Sequence, residues 1–87
     1  VCLNDYLALG VSKAVTELGL RVGADVGVSG FDDVPYASVV EAPLTTVRQP
    51  IAEMCEFIAG EVVSSFENGA PVSGRTFEAE LVVRQSA

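Results

Sequence analysis

Two short apolar runs flank one sharply punctuated helix in the first 29 residues, and this arrangement leaves few folds open. Val1, Cys2 and Leu3 have the character of a buried strand's end. Asn4 then offers a side-chain oxygen to the free N–H groups of a helix start, and Asp5 suits the positive end of the helix dipole. Leu7, Ala8, Val11, Ala14, Val15 and Leu18 recur at helical spacing, with Ser12, Lys13, Thr16 and Glu17 off that stripe. Gly19 supplies the residue type that ends helices in the left-handed region. Residues 26–29, Val-Gly-Val-Ser, close the unit as a second buried strand. Strand, helix and strand within about thirty residues make a βαβ unit, which implies a right-handed crossover and a parallel sheet.

A second strand–helix–strand run follows. Residues 36–40, after Pro35, have room for one helical turn. Residues 44–48, Leu-Thr-Thr-Val-Arg, are rich in β-branched side chains and predict a strand. Pro50 fits the first helical position, where its missing N–H costs nothing. Ile51, Met54, Cys55, Ile58, Val62 and Phe66 form the apolar stripe of that helix, opposite Glu53, Glu56, Gly60, Ser64 and Glu67. Asn68-Gly69-Ala70-Pro71 stops it, and residues 77–84 predict a last strand. The expected class is α/β: a βαβ unit followed by β-α-β.

Composition narrows the function. A chain of 87 residues with 49% hydrophobic content predicts a core rather than a disordered tail. Its start at Val1, in mid-pattern, predicts a piece of a longer protein. Net charge is −7, from 12 acidic and 5 basic residues, which opposes gripping a phosphate backbone. No run is long and apolar enough to span a bilayer. Absence of His removes the commonest general base and metal ligand. Cys2 and Cys55 have no metal-site spacing and read as two buried thiols of a cytosolic chain. Ser12, Ser29 and Ser38 lack a base partner, and no GxGxxG fingerprint is present. Neither a catalytic constellation, a metal site nor a cofactor motif is expected.

What remains is a candidate ligand mouth. In open α/β sheets, ligands settle outside the carboxyl ends of the strands. Asn4-Asp5 follows the first strand and Asp32-Asp33 the second, so neighbouring parallel strands would carry both pairs to one edge. An amide and carboxylates there suit hydroxyls or ring nitrogens. Blander roles stay open at this point. Asn4 makes a good N-cap with no ligand at all, Asp5 a dipole-favoured surface carboxylate, and Asp32 and Asp33 solvated or turn-forming residues.

The motifs NDxxALG (residues 4–10), GFDD (30–33), PLTTxRQP (43–50) and ELVVR (80–84), in this order, resemble the lactose/galactose-repressor (LacI/GalR) family of bacterial transcription regulators. The likeness runs over essentially the whole chain. It implies the C-terminal part of an effector-binding core with the three-layer fold of periplasmic binding proteins. Residues 1–44 would lie mostly in the C-terminal subdomain and 45–49 in a hinge crossover. Residues 50–87 would form a helix and last strand near the N-terminal subdomain and hinge, and the DNA-binding domain lies outside this segment.

Functional residues follow from the resemblance, position by position. Asn4 and Asp32 would contact the effector, and Ile51 would stand where some relatives place a wall of the pocket. Leu9, Tyr36, Val39 and Val40 would fall at a homodimer interface. Thr45, Thr46, Val47, Arg48 and Gln49 would be hinge residues. The implied protein is a non-enzymatic, cytoplasmic, dimeric sensor of a small molecule such as a sugar. It would touch DNA only through the domain outside this segment, and no membrane. Gly27 and Ser29 depart from the family's more apolar strand and predict a looser one. Two rival readings share the architecture: a solute-binding protein of a sugar transporter, and an α/β hydrolase or phosphatase using Asp32.

Overall fold

The computed structural model describes residues 1–87. They divide into two compact units, Val1–Arg48 with Glu80–Ala87, and Gln49–Ala79.

In the first unit, helix α1 spans Asp5–Glu17. Asn4 caps it, its Oδ1 accepting the Leu7 N–H at 2.9 Å, and Leu18 ends it before Gly19 at φ 78°. The sequence stripe is only partly the buried face. Asp5, Ala8 and Val15 are buried, whereas Leu7, Val11 and Leu18 are exposed. At about 100° per residue, Leu7, Val11 and Leu18 centre roughly a quarter of a turn from the buried set, so the apolar stripe of α1 is wider than the face the core covers.

Extended segments pack under the helix. The Cys2 N–H donates to the Ser29 carbonyl, Gly30 N–H to Thr45 and Asp32 N–H to Val47, at 2.8, 3.0 and 2.9 Å. Ser29 and Thr45 form an isolated parallel bridge. The one continuous ladder is antiparallel, between β1 (Thr46–Arg48) and β2 (Glu80–Val82), with Thr46 opposite Val82, Val47 opposite Leu81 and Arg48 opposite Glu80. The expected parallel sheet is thus reduced to isolated bridges and single bonds, and residues 1–3 and 26–29 are not strands.

Ser86 explains the interruption. Its carbonyl accepts the Val28 N–H at 2.8 Å, and its hydroxyl donates to the Val28 carbonyl at 2.6 Å. That hydroxyl also accepts the Thr45 N–H at 2.8 Å. Both backbone groups of Val28 are thus bonded to Ser86, whose hydroxyl stands between the Val28 carbonyl and the Thr45 N–H. The same competition shortens the strand expected at 44–48, because the Leu44 N–H is spent on the Ala37 carbonyl. Of the last strand expected at 77–84, only Glu80–Val82 forms; Phe77, Glu78 and Ala79 before it and Val83 and Arg84 after it fall outside.

The turn expected at 36–40 is a 3₁₀ turn, Pro35–Ser38. Ala8, Val28, Ala37 and Leu44 form the core, with Cys2, Val22, Val26 and Val34 packed against it. It is a core of small side chains.

The second unit holds α2, Ile51–Asn68. Pro50 is its N-cap rather than its first helical residue, and Gly69 ends it at φ 65°. Phe57 meets Phe77 edge-on at 5.8 Å between ring centres, and the Arg75 guanidinium lies 4.5 Å from the Phe77 ring centre. Glu61 accepts both the N–H and the hydroxyl of Ser73, at 2.8 and 2.9 Å. Those two bonds, the backbone one foremost, hold the Glu61 carboxyl below its usual range. The covered face of α2 therefore carries Phe57 and Glu61, while Ile51, Ile58, Val62 and Phe66 of the expected stripe are exposed or only half-covered. Cys55 is exposed as well, contrary to its reading as a buried thiol; Cys2 is half-buried.

Candidate ligand-binding site

Asp5 is the first structural determinant of the site. Rather than lying on the surface, it is fully buried. Its Oδ1 accepts the Thr46 hydroxyl at 2.6 Å and its Oδ2 the Val34 N–H at 2.8 Å. Its own N–H donates to the Phe31 carbonyl at 3.0 Å. Gly30 makes this approach possible: a Cβ there would run into the Asp5 carboxylate and backbone. A carboxylate with two fixed donors at a helix N-terminus is well compensated for its burial.

These bonds bring the two sequence-predicted loops together. Asn4 precedes Asp5 and Asp32 follows Phe31, so the Asp5–Phe31 bond joins the residues next to each. The Asn4 Oδ1 is spent on the cap, which leaves its amide NH₂ as the hydrogen-bonding group it offers a ligand. Asp32 is exposed, and its N–H donates to the Val47 carbonyl.

Asp32 and Asp33 both have left-handed backbones, at φ 112° and 58°. Such conformations are uncommon outside glycine and cost of order 1–3 kcal/mol each. Asp33 is held from several sides. Arg84 Nη1 donates to its Oδ1 at 2.8 Å and Arg48 Nε to its Oδ2 at 2.7 Å. Its N–H also reaches Thr46 Oγ1 at 3.4 Å. Arg84 Nη1 further donates to the Leu44 carbonyl at 3.0 Å. The Arg84 hydrogen bond, opposed by desolvation and aided by Arg48, holds the Asp33 carboxyl below its ordinary range. Arg48 is correspondingly raised by Asp33.

Sequence reasoning missed this pairing because both cations come from distant segments, 15 and 51 residues along the chain. A hint existed: Asp32-Asp33 has no nearby cation, and Arg48 and Arg84 belong to a set of only 5 basic residues.

The other expected site residues are distributed as follows. Ile51 is exposed at the start of α2, in the second unit. Leu9, Tyr36 and Val40 line a groove of about 840 Å³, together with Leu20, Val22 and Ala42. Val39 is exposed but not part of that lining. This groove includes neither Asn4 nor Asp32, so it is a surface separate from the loop pair. Thr45 and Thr46 are buried, and the division between units falls after Arg48, so that Gln49 begins the second. No group of three or more His, Cys, Asp or Glu side chains is gathered to hold a metal. No helix is long and apolar enough to cross a membrane.

All of residues 1–87 match the family described as periplasmic binding protein-like domain. The chain is 44% identical to the uncharacterized HTH-type transcriptional regulator YvdE of Bacillus subtilis, covering 99% of this chain and 28% of that protein. It superposes with a TM-score of 0.86 on the lac repressor dimer bound to operator and the anti-inducer ONPF, at 34% identity over 97% of this chain and 26% of that one. A LacI family transcriptional regulator from Lactobacillus casei with bound sucrose gives a TM-score of 0.83 at 34% identity, over 98% of this chain and 31% of that one. The segment thus spans about a quarter to a third of each of these three proteins. With its length matched throughout, this chain belongs to the periplasmic binding protein-like family, in the LacI/GalR group of transcription regulators.

Proposed function

We propose that this segment is the effector-sensing part of a DNA-binding regulator, that it binds a small polyhydroxylated molecule of the sugar class, and that binding alters operator affinity. The observation that carries the reading is the Asp5–Phe31 bond, which joins the loops bearing Asn4 and Asp32. The Asn4 amide would donate to a sugar oxygen, while the Asp32 carboxylate would accept from hydroxyls. A hydrogen bond to a charged group contributes about 1.5–3 kcal/mol, against about 0.5–1.5 kcal/mol for a neutral pair, so Asp32 would hold the sugar more firmly than Asn4. Ile51 would supply an apolar wall.

Closure over the effector would act through residues 45–49 as a hinge. Residues 1–44 would lie mostly in the C-terminal subdomain, with 50–87 near the N-terminal subdomain and hinge. Leu9, Tyr36, Val39 and Val40 would form the homodimer contact, for which the groove lined by three of them is suited. Operator DNA would be reached through a domain outside this segment, and the whole protein would then work in the cytoplasm. The effector can shift operator affinity only by its difference in affinity for two conformations. None of these roles needs turnover.

The experiment is calorimetric titration of the full-length regulator with sucrose, lactose and maltose, with and without operator DNA. At least one sugar should bind, change operator affinity, and lose tenfold or more of its affinity in Asp32→Ala. Tight binding by a folded Asp32→Ala protein would refute the assignment.

A further inference from the structure

We propose that Asp33 is the positioning residue of the Asp32 loop: gripped by Arg84 and Arg48, it fixes the left-handed backbone at Asp32 and fastens the loop to the segments that carry β1 and β2. As an account of ligand affinity this rests on the function proposed above. As an account of loop geometry it stands on the contacts alone.

Three observations converge. Asp32 and Asp33 are consecutive residues at positive φ, an arrangement that relaxes unless the surroundings over-determine it. The two oxygens of Asp33 are taken by separate guanidinium groups, 2.8 and 2.7 Å away, from separate parts of the chain. One of them, Arg84, is mostly buried and is itself anchored on the Leu44 carbonyl. A carboxylate held at both oxygens has little freedom to rotate, and its backbone inherits that restriction. Asp33 is mostly buried too and occupied by the arginines, so it is a poor candidate for touching ligand. Asp32, one residue earlier, is exposed. The pair therefore divides the labour. One carboxylate anchors, and the other is presented.

This assigns functions to Asp33, Arg48 and Arg84 that differ from those of effector contacts or a passive surface ion pair. If the clamp is lost, the Asp32 amide should separate from the Val47 carbonyl, and the presented carboxylate should sample many orientations before any ligand arrives. Binding would then require ordering the loop first, which weakens affinity without removing a contact.

The test is made on the full-length regulator. Asp33→Asn removes the charge while keeping a residue that tolerates positive φ. Hydrogen exchange is followed at the Asp32 and Val34 amides, with the α1 amides as internal control, and sucrose, lactose and maltose affinities are measured in parallel. The expected result is at least tenfold faster exchange at Asp32, little change within α1, and tenfold or more weaker binding of whichever sugar the wild type takes. Asp32→Asn should weaken binding while leaving its own amide protected, which separates presenting from anchoring. Unchanged Asp32 exchange in a folded Asp33→Asn protein overturns the proposal. If that variant does not fold, Arg84→Gln and Arg48→Gln each remove half of the clamp, and slow exchange in both overturns it equally. Should the wild type bind none of the three sugars, the proposed function fails while the exchange result still decides the clamp.

Discussion

The Thr46 hydroxyl donates to the Asp5 carboxylate at 2.6 Å across 41 residues of chain, with both side chains sealed from solvent. Through this bond the start of α1 and the start of β1 share one polar centre inside an otherwise small apolar core.

Replacing Asp5 by Ala should leave the Thr46 hydroxyl and the Val34 N–H without their acceptor. One buried and one partly buried donor left unpaired, at about 1–3 kcal/mol each, cost up to about 6 kcal/mol together. Chemical denaturation of the full-length protein should show that loss in the transition assigned to this region, with Asp5→Asn less damaging. A loss below about 0.5 kcal/mol, the usual scale of surface substitutions, would mean that water replaces the carboxylate easily.

Acid should weaken the region through Asp33. Its folded carboxyl lies below the ordinary range because of Arg84 first and Arg48 next. A depressed carboxyl contributes stability above its unfolded value of about 4 and loses it as pH falls through the lower folded value. Stability should therefore decline between about pH 5 and the folded value, and Asp33→Asn should flatten that decline. Melting curves recorded from about pH 7 down to about pH 3 on both proteins check it.

Asn4 can be dissected by its two roles. Asn4→Ser keeps an oxygen for the Leu7 N–H, so stability should change by only a few tenths of a kcal/mol, whereas Asn4→Ala should cost about 1 kcal/mol. Both variants remove the amide donors and should weaken sugar binding similarly, which titration would reveal. Equal affinity for Asn4→Ser and wild type would confine Asn4 to capping.

Gly30→Ala should destabilise strongly, because its Cβ meets the Asp5 carboxylate and backbone rather than the end of a flexible chain. A loss within the roughly 1–3 kcal/mol common for overpacking is expected by denaturant titration. The substitution should also loosen the loop pair, so sugar affinity should fall with it.

The isolated 87-residue chain should self-associate. Leu7, Val11 and Leu18 on α1 and Ile58, Val62 and Phe66 on α2 are exposed at helical spacing, and such contiguous apolar faces seek partners. Sedimentation velocity across a hundredfold concentration range should show mass rising with concentration. A steady monomer would count against it.

Local signals were legible where they depend on a few adjacent residues. Asn4 and Gly19 mark the ends of α1, and Gly69 marks the end of α2, because caps are local chemistry. Periodicity located both helices but not the covered face. In α1 the apolar stripe is wider than the covered face, and in α2 the covered side is chosen by Phe77 and Ser73 from the following segment. The sheet was the least legible, since Ser86 takes the backbone groups of Val28 from 58 residues away. The candidate site was readable as two loops, Asn4-Asp5 and Asp32-Asp33, with Asp32 as the expected effector contact, but the two arginines that hold Asp33 were not. Asp5 reads as a surface carboxylate until Gly30 is seen to admit it, and Asp33 reads as solvated until Arg84 arrives from the far end of the chain.

The consecutive positive φ values at Asp32 and Asp33 also limit how such a protein can diversify. Few side chains accept that backbone, with Gly, Asn and Asp foremost, so bulky or β-branched replacements are closed to both positions. A descendant diverging from this chain would keep this corner nearly frozen and vary the more permissive positions around it.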